Sequence, residues 1–146
     1  MADSQPTELV AWARELLETE RVGRLGLLDE DGGPRVLPVT FAVSGGRIWS
    51  AIDQKPKRAG EPARVRFLRR DPRAALTVDR YSDDWDRLAW VQVLGTVRVL
   101  DVSDGAQGLA ALSGKYEQYR DRPPPGPLLA LEPQRYLWWR AADPPG

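Results

Sequence analysis

Residues 34–58, PRVLPVTFAVSGGRIWSAIDQKPKR, constrain the fold more than any other stretch of the chain. Val36, Val39, Phe41 and Val43 are apolar and favour strands, Ser44-Gly45-Gly46 is a tight-turn sequence, and Ile48, Trp49 and Ile52 resume the strand. The pattern predicts two strands joined by a hairpin turn. Lys55, Lys57 and Arg58 follow within four positions, with Pro56 restricting the backbone between the lysines. A cationic cluster fixed to the end of a strand reads as a seat for a small anion, phosphate first. Arg58 offers a planar fork of donors and the two lysines act as point charges. The competing reading is a solvated loop.

The rest of the chain alternates strands with helical excursions. Residues 7–20 predict a helix capped by Thr7, because Leu9, Trp12, Ala13, Leu16 and Leu17 recur on one face. Residues 22–28 predict a short strand and residues 29–33 a turn. A second helix is expected over residues 61–70, with Pro62 in its first turn, Val65 and Leu68 facing inward, and Asp71-Pro72 ending it. A strand over 74–79, a polar excursion over 81–87 and a long strand over 88–100 follow. Gly95 marks a bulge or bend in that long strand. A helix over 104–119, weakened by Gly105, Gly108 and Gly114, leads through a proline-rich loop to a last strand over 128–139. Meandering strands with helical excursions predict a mainly β, mostly antiparallel barrel of about six strands. At 146 residues the chain is expected to form one domain, with loose ends at residues 1–6 and 141–146.

Composition removes whole classes of chemistry. The chain holds no Cys and no His, which excludes thiol nucleophiles, Ser-His triads and disulfide frameworks, and disfavours zinc and axial haem ligation. Its 21 basic and 21 acidic residues cancel, against the basic excess of a nucleic-acid binder. No secretion signal or membrane-spanning run is recognisable, so a cytoplasmic protein is expected. GxGxxG and Walker A patterns are absent. Asp83, Asp84 and Asp86 around Trp85 lack the ordered spacing of a calcium loop and read as a solvated turn, so no metal is expected. Most of Arg64, Arg66, Arg69, Arg70 and Arg73 read as a solvated helix face, and Lys115 and Arg120 reach a site only through the fold or a partner subunit. No catalytic acid, base or nucleophile stands out. Any reaction is therefore expected to be carried by a cofactor, with the protein supplying orientation and electrostatics.

Three longer strings carry a family resemblance. They are RVGRLGLLDEDGGPRVLPVTFAVSGGRIWSAIDQKPKR, FLRRDPRAALTVDRYSDDWDRLAWVQVLGTVRVL and PGPLLALEPQRYLWW. Over nearly its whole length the chain resembles the pyridoxamine 5'-phosphate oxidase-like superfamily of split β-barrel flavin proteins. Within it, the DQKPKR and YSDDWDRLAWVQVLGTVRVL strings are similar to the actinobacterial group that uses the deazaflavin coenzyme F420. The resemblance implies a six-stranded antiparallel split barrel and a homodimer with two cofactor sites at the subunit interface. It places Pro38, Val39 and Thr40 along the cofactor ring and Ser50, Ala51 and Ile52 beside its tail. Lys55, Lys57 and Arg58 are then the phosphate grip. Trp85, Trp90 or the C-terminal Trp138 and Trp139 complete the pocket across the interface. The implied activity is hydride transfer between reduced deazaflavin and a small unsaturated or quinone-like molecule. FMN chemistry on the same fold, and cofactor binding without turnover, are the alternatives. The segment after Arg58, AGEPARVRF, is less basic at its start than the group leads one to expect.

Overall fold

The structure, a computed structural model, describes residues 9–52 and 60–142 in full and the backbone of residues 2–4. Among the described residues, eight strands form one antiparallel sheet. They are β1 (Ala2–Ser4), β2 (Gly23–Leu28), β3 (Pro34–Val39), β4 (Ala42–Ser44), β5 (Arg47–Ala51), β6 (Arg73–Arg80), β7 (Ala89–Leu100) and β8 (Leu128–Arg140). The order across the sheet is β3-β2-β6-β7-β8-β5-β4, with β1 also pairing β8. Helices α1 (Ala11–Thr19), α2 (Ala63–Arg70), α3 (Ala106–Lys115) and α4 (Glu117–Asp121) fill the connections. The mainly β, split-barrel reading holds, with eight strands where six were expected.

The hairpin reading of residues 34–58 needs correction. Asp29 organises the preceding turn, its carboxylate accepting the Asp31 and Gly33 amides at 3.0 and 2.8 Å, and so makes β2 and β3 the first hairpin. The chain then leaves the ladder at Thr40-Phe41 and crosses to the other side of the sheet. There β4 and β5 form a second, shorter hairpin around Gly45 and Gly46, whose positive φ angles of 62° and 74° suit a tight turn of this kind. Pro34 and Pro38 lie in an edge strand, where a missing amide donor is tolerated and discourages further pairing.

Helix α1 buries Ala13, Leu16 and Leu17, as its periodicity predicts. Thr7 lies outside the described residues, and the N-cap position is taken by Val10 without a side-chain bond. In α2, Val65, Phe67 and Leu68 are buried and Pro62 occupies the N-cap position, one step before the first turn. Three of the four α2 arginines find local partners. Arg66 donates to the Glu61 carbonyl, Arg69 to the Glu61 carboxylate, and Arg70 to the Asp29 carbonyl. The expected single helix over 104–119 is broken at Tyr116, whose φ and ψ of −118° and 119° are extended.

Register places the core. Along β7, Val91, Val93 and Val97 point inward, facing Leu76 and Val78 of β6. On β8 the inward set is Leu129 and Leu131, then Tyr136 and Trp138. Only an inserted residue changes that parity, and the register skips Gln134 between the Leu94–Arg135 and Gly95–Pro133 pairs. The bulge lies opposite Gly95, where a Cβ would sit 2.0 Å from the Glu132 carbonyl oxygen. This interior, closed by α1 and α2, is the main core. A second cluster lies outside the barrel wall, where α3 lays Leu112 and Tyr116 against Trp49, Ala51, Leu128 and Ala130.

Candidate functional site

The break between β3 and β4 gathers the residues with the most demanding polar chemistry. Thr40 and Phe41 belong to neither strand, so their backbone groups need other partners. The Ser50 hydroxyl donates to the Thr40 carbonyl at 2.7 Å. The Tyr116 hydroxyl accepts the Phe41 amide at 3.1 Å and has the Phe41 and Arg21 carbonyls at 3.0 and 2.8 Å for its single proton. The Thr40 and Tyr119 hydroxyls are 2.7 Å apart. Side chains from β5, α4 and the α3–α4 junction thus hold one dipeptide.

Cations surround the same point. The Lys115 ammonium lies 3.8 Å from the centroid of the Phe41 ring and donates to the Leu17 carbonyl at 3.4 Å. The Arg21 guanidinium donates to the Lys115 carbonyl and lies 5.5 Å from the Tyr116 ring centroid. Burial and then the nearby Arg21 charge push the Lys115 amine down to about 8, against a smaller upward pull from Glu20. Burial raises the Tyr116 phenol, so it stays neutral and able to donate.

The residues anticipated along the cofactor ring and tail separate by role. Pro38 is exposed on the outer face of β3, in register with Arg24. Val39 and Ile52 point into the barrel core, and Ala51 joins the second cluster beneath α3. Val39 and Ile52 therefore offer a surface ligand their backbone only. Thr40 is half-buried, and Ser50 is the buried polar residue of the described core. Val39, Phe41 and Ser50 also line a small apolar cavity of about 20 Å³ inside the barrel. Lys55, Lys57 and Arg58 lie outside the described residues.

The tryptophans do not converge on this point within one chain. Trp85 is 69% exposed on a short 3₁₀ turn, Trp85–Arg87, which the Asp84 carboxylate caps by accepting the Asp86 amide. The acidic residues there thus have a structural use. Trp138 belongs to the core at the far end of β8, while its neighbour Trp139 is exposed and sits opposite Trp90. Sequence reasoning missed Arg21, Tyr116 and Tyr119. The available signal was the spacing of Tyr116 and Tyr119 beside Lys115 in a glycine-weakened helix, and it names no partner.

The outer face of the sheet has a different character. Register aligns Pro38, Arg24, Thr77, Gln92 and Leu137 in one row, and Val36, Gly26, Ala75, Leu94 and Arg135 in the next. Asp79, Trp90 and Trp139 make a third row. Val36 is 70% exposed. An open groove of about 320 Å³ runs between Val36, Gly26, Ala75 and Arg73. Helix α3 covers this side of the sheet over β4, β5 and the start of β8, where the second cluster forms.

Comparison with known proteins places the fold. No curated protein sequence is significantly similar to the chain. A conserved hypothetical protein from Mycobacterium tuberculosis superposes with a TM-score of 0.73 at 19% identity, over 92% of this chain and 86% of that one. A protein described as an F420 reductase superposes with a TM-score of 0.63 at 22% identity, over 88% of this chain and 98% of that one. A FAD-binding protein from Mesorhizobium loti does so with a TM-score of 0.62 at 21% identity, over 94% and 99% of the two chains. At these identities the likeness is one of fold. The sequence itself matches the family model described as pyridoxamine 5'-phosphate oxidase over residues 9–140, and on that match the chain belongs to the pyridoxamine 5'-phosphate oxidase family.

Proposed function

We propose that this protein is a deazaflavin-dependent oxidoreductase that binds coenzyme F420 and acts on a small unsaturated or quinone-like substrate, as a homodimer with its cofactor sites at the subunit interface. The observation that carries the reading is the Thr40-Phe41 break, a hydrogen-bonded polar corner at the end of an apolar strand face. Val36 and Pro38 give β3 an exposed apolar outer face of the kind a flat ring rests on. Thr40 ends that face with a hydroxyl already oriented by Tyr119. Beyond the end of β5 at Ala51 the sequence continues through Ile52 into Asp53-Gln54-Lys55-Pro56-Lys57-Arg58. Lys55, Lys57 and Arg58 would hold a phosphate by charge-assisted hydrogen bonds. The residues therefore suit a ring with a phosphorylated tail.

The cofactor, when bound, supplies the hydride chemistry. The chain's own contribution is binding and orientation. Ser50, Tyr116 and Tyr119 fix Thr40-Phe41, so the wall beside the ring does not give when a substrate arrives. The partially exposed outer rows, with Val36, Pro38, Leu137 and Trp139, support the dimer reading. A cytoplasmic location fits this chemistry, and no helix among the described residues is long and apolar enough to cross a membrane.

The test is a fluorescence titration of the purified protein with the deazaflavin. Micromolar binding is expected, weakened in both Lys55→Ala and Lys57→Ala by roughly 1–3 kcal/mol, the scale of a lost charged hydrogen bond. Unchanged affinity in both variants would move the phosphate site elsewhere. The likeness to a FAD-binding protein keeps one second reading, an FMN-dependent enzyme of the same fold. A yellow protein as purified, with tight FMN binding and no deazaflavin binding, would establish that reading in place of the first.

A further inference from the structure

Away from the Thr40 corner, a separate cleft of about 240 Å³ opens between α1, the end of β6, the 3₁₀ turn and the end of β8. Three arginines from three different elements line it, Arg80, Arg87 and Arg140, together with the indole of Trp12. The Arg140 guanidinium lies over the Trp12 ring, 5.2 Å from its centroid, so one wall is a stacked cation and aromatic plane. Arg80 has only a long ion pair, 3.9 Å to Glu20, with its side chain about half exposed. The Arg87 side chain is exposed and has no partner among the described residues. Glu15 and Asp86 also line the cleft, and with Glu20 beside Arg80 they balance the three arginines in charge.

Arg80, through its long ion pair, and Arg87, with no side-chain partner among the described residues, are the guanidiniums of this lining with donors to spare. The interior ends at Leu16 and Ala89, and guanidinium-bearing residues from three elements border the same cleft beyond it. Guanidinium forks match a carboxylate two oxygens at a time. A cleft of this size is below the usual range for drug-sized ligands, which limits the occupant to about one or two fused rings. The stacked Arg140–Trp12 wall favours a flat apolar body. We infer that this cleft is a binding site for a small aromatic carboxylate, distinct from the cofactor site and independent of whether the deazaflavin reading holds. The carboxylate lies between Arg80 and Arg87, and the ring lies along the Arg140–Trp12 wall.

The experiment uses the full chain labelled with 5-fluorotryptophan, giving one fluorine resonance for each of its six tryptophans. Each resonance is assigned by single Trp→Phe replacement. The probe is 1-naphthoate, with 1-naphthylmethanol as the uncharged control. A saturable shift of the Trp12 resonance with naphthoate is expected, and little shift with the alcohol. Arg87→Gln should weaken naphthoate binding by roughly ten-fold, the lower end expected for loss of a charged hydrogen bond. Arg80→Gln provides the second reading, since it lies on a different element. The inference is overturned if Trp12 is silent up to about ten millimolar probe, a level that already corresponds to negligible affinity. It is equally overturned if acid and alcohol shift Trp12 alike, if another tryptophan responds in its place, or if both arginine variants bind as the parent does.

Discussion

Tyr116→Phe isolates one hydroxyl whose energetic share follows from its partners. The ring is retained, so the packing of Tyr116 against Trp49 and Leu112 in the second cluster is preserved. What disappears is the acceptor of the Phe41 amide and the donor shared by the Phe41 and Arg21 carbonyls. Phe41 is fully buried, so no water replaces the lost acceptor without opening the core. An orphaned buried amide costs about 1–3 kcal/mol, and the lost O–H bond adds about 0.5–1.5 kcal/mol. Destabilisation of roughly 2–4 kcal/mol is therefore expected. Urea unfolding at 25 °C would show it as a lower midpoint with an unchanged slope, and a thermal melt as a fall of ~6–12 °C for a loss near the middle of that range. Tyr119→Phe serves as the internal control. Its bond to Thr40 joins two half-buried hydroxyls that water reaches, and its loss should cost about 1 kcal/mol or less. A Tyr116→Phe loss under about 0.5 kcal/mol, or one no larger than that of Tyr119→Phe, would refute the claim that this hydroxyl holds the strand break together.

Other perturbations test neighbouring parts of the argument. In Gly108→Ala a Cβ would stand 2.0 Å from the Trp49 ring, which is 1% exposed and tied to the Ser44 carbonyl at 3.1 Å. Overpacking there should outweigh the helix-propensity gain of about 1 kcal/mol and leave a net loss of roughly 2 kcal/mol in chemical denaturation, where a neutral result would show that the ring can retreat. Because the Lys115 amine titrates near 8 when folded and nearer its ordinary value when unfolded, the unfolded chain binds more protons between those values. The Lys115 contribution to stability should therefore rise with pH from about 8 to about 10, and Lys115→Met should lack that rise in unfolding curves taken at stepped pH. Trp139→Asp, on the exposed outer row opposite Trp90, should shift sedimentation from dimer to monomer while leaving the circular dichroism unchanged. A monomeric parent, or a variant that remains a dimer, would remove that face from the interface.

The elements with strong local signals were legible in the sequence. The apolar stripe of α1, the alternation of β7, the turn at Gly45-Gly46 and the irregularity at Gly95 all depend on residues within a few positions of one another. The division of residues 34–51 between two sides of the sheet was not legible. Val36, Val39, Phe41 and Val43 are equally good strand residues, and nothing local distinguishes a continuous strand from two that pair with different neighbours. Strand β1 was hidden for a related reason, since its pairing rests on the end of β8 and not on an apolar pattern of its own. Likewise Trp138 and Trp139 are chemically identical neighbours, and only the parity change at the β8 bulge decides which enters the core.

The candidate site was half legible because its two halves are specified differently. Thr40 and Ser50 stand near the turn that relates them, ten positions apart, and the resemblance named both. Tyr116 and Tyr119 act on Phe41 and Thr40 from 75 and 79 positions away. Their placement also accounts for a local irregularity. A helix continuing through Tyr116 would keep its backbone in the α region, whereas the observed residue is extended and its hydroxyl reaches the freed dipeptide. The break in the strand and the break in the helix are therefore one structural feature. Leaving the ladder at Thr40-Phe41 creates unpaired polar groups, and the α3–α4 kink supplies the hydroxyls that satisfy them. Mutations in the kink should therefore register at the strand face where the proposed cofactor ring would lie.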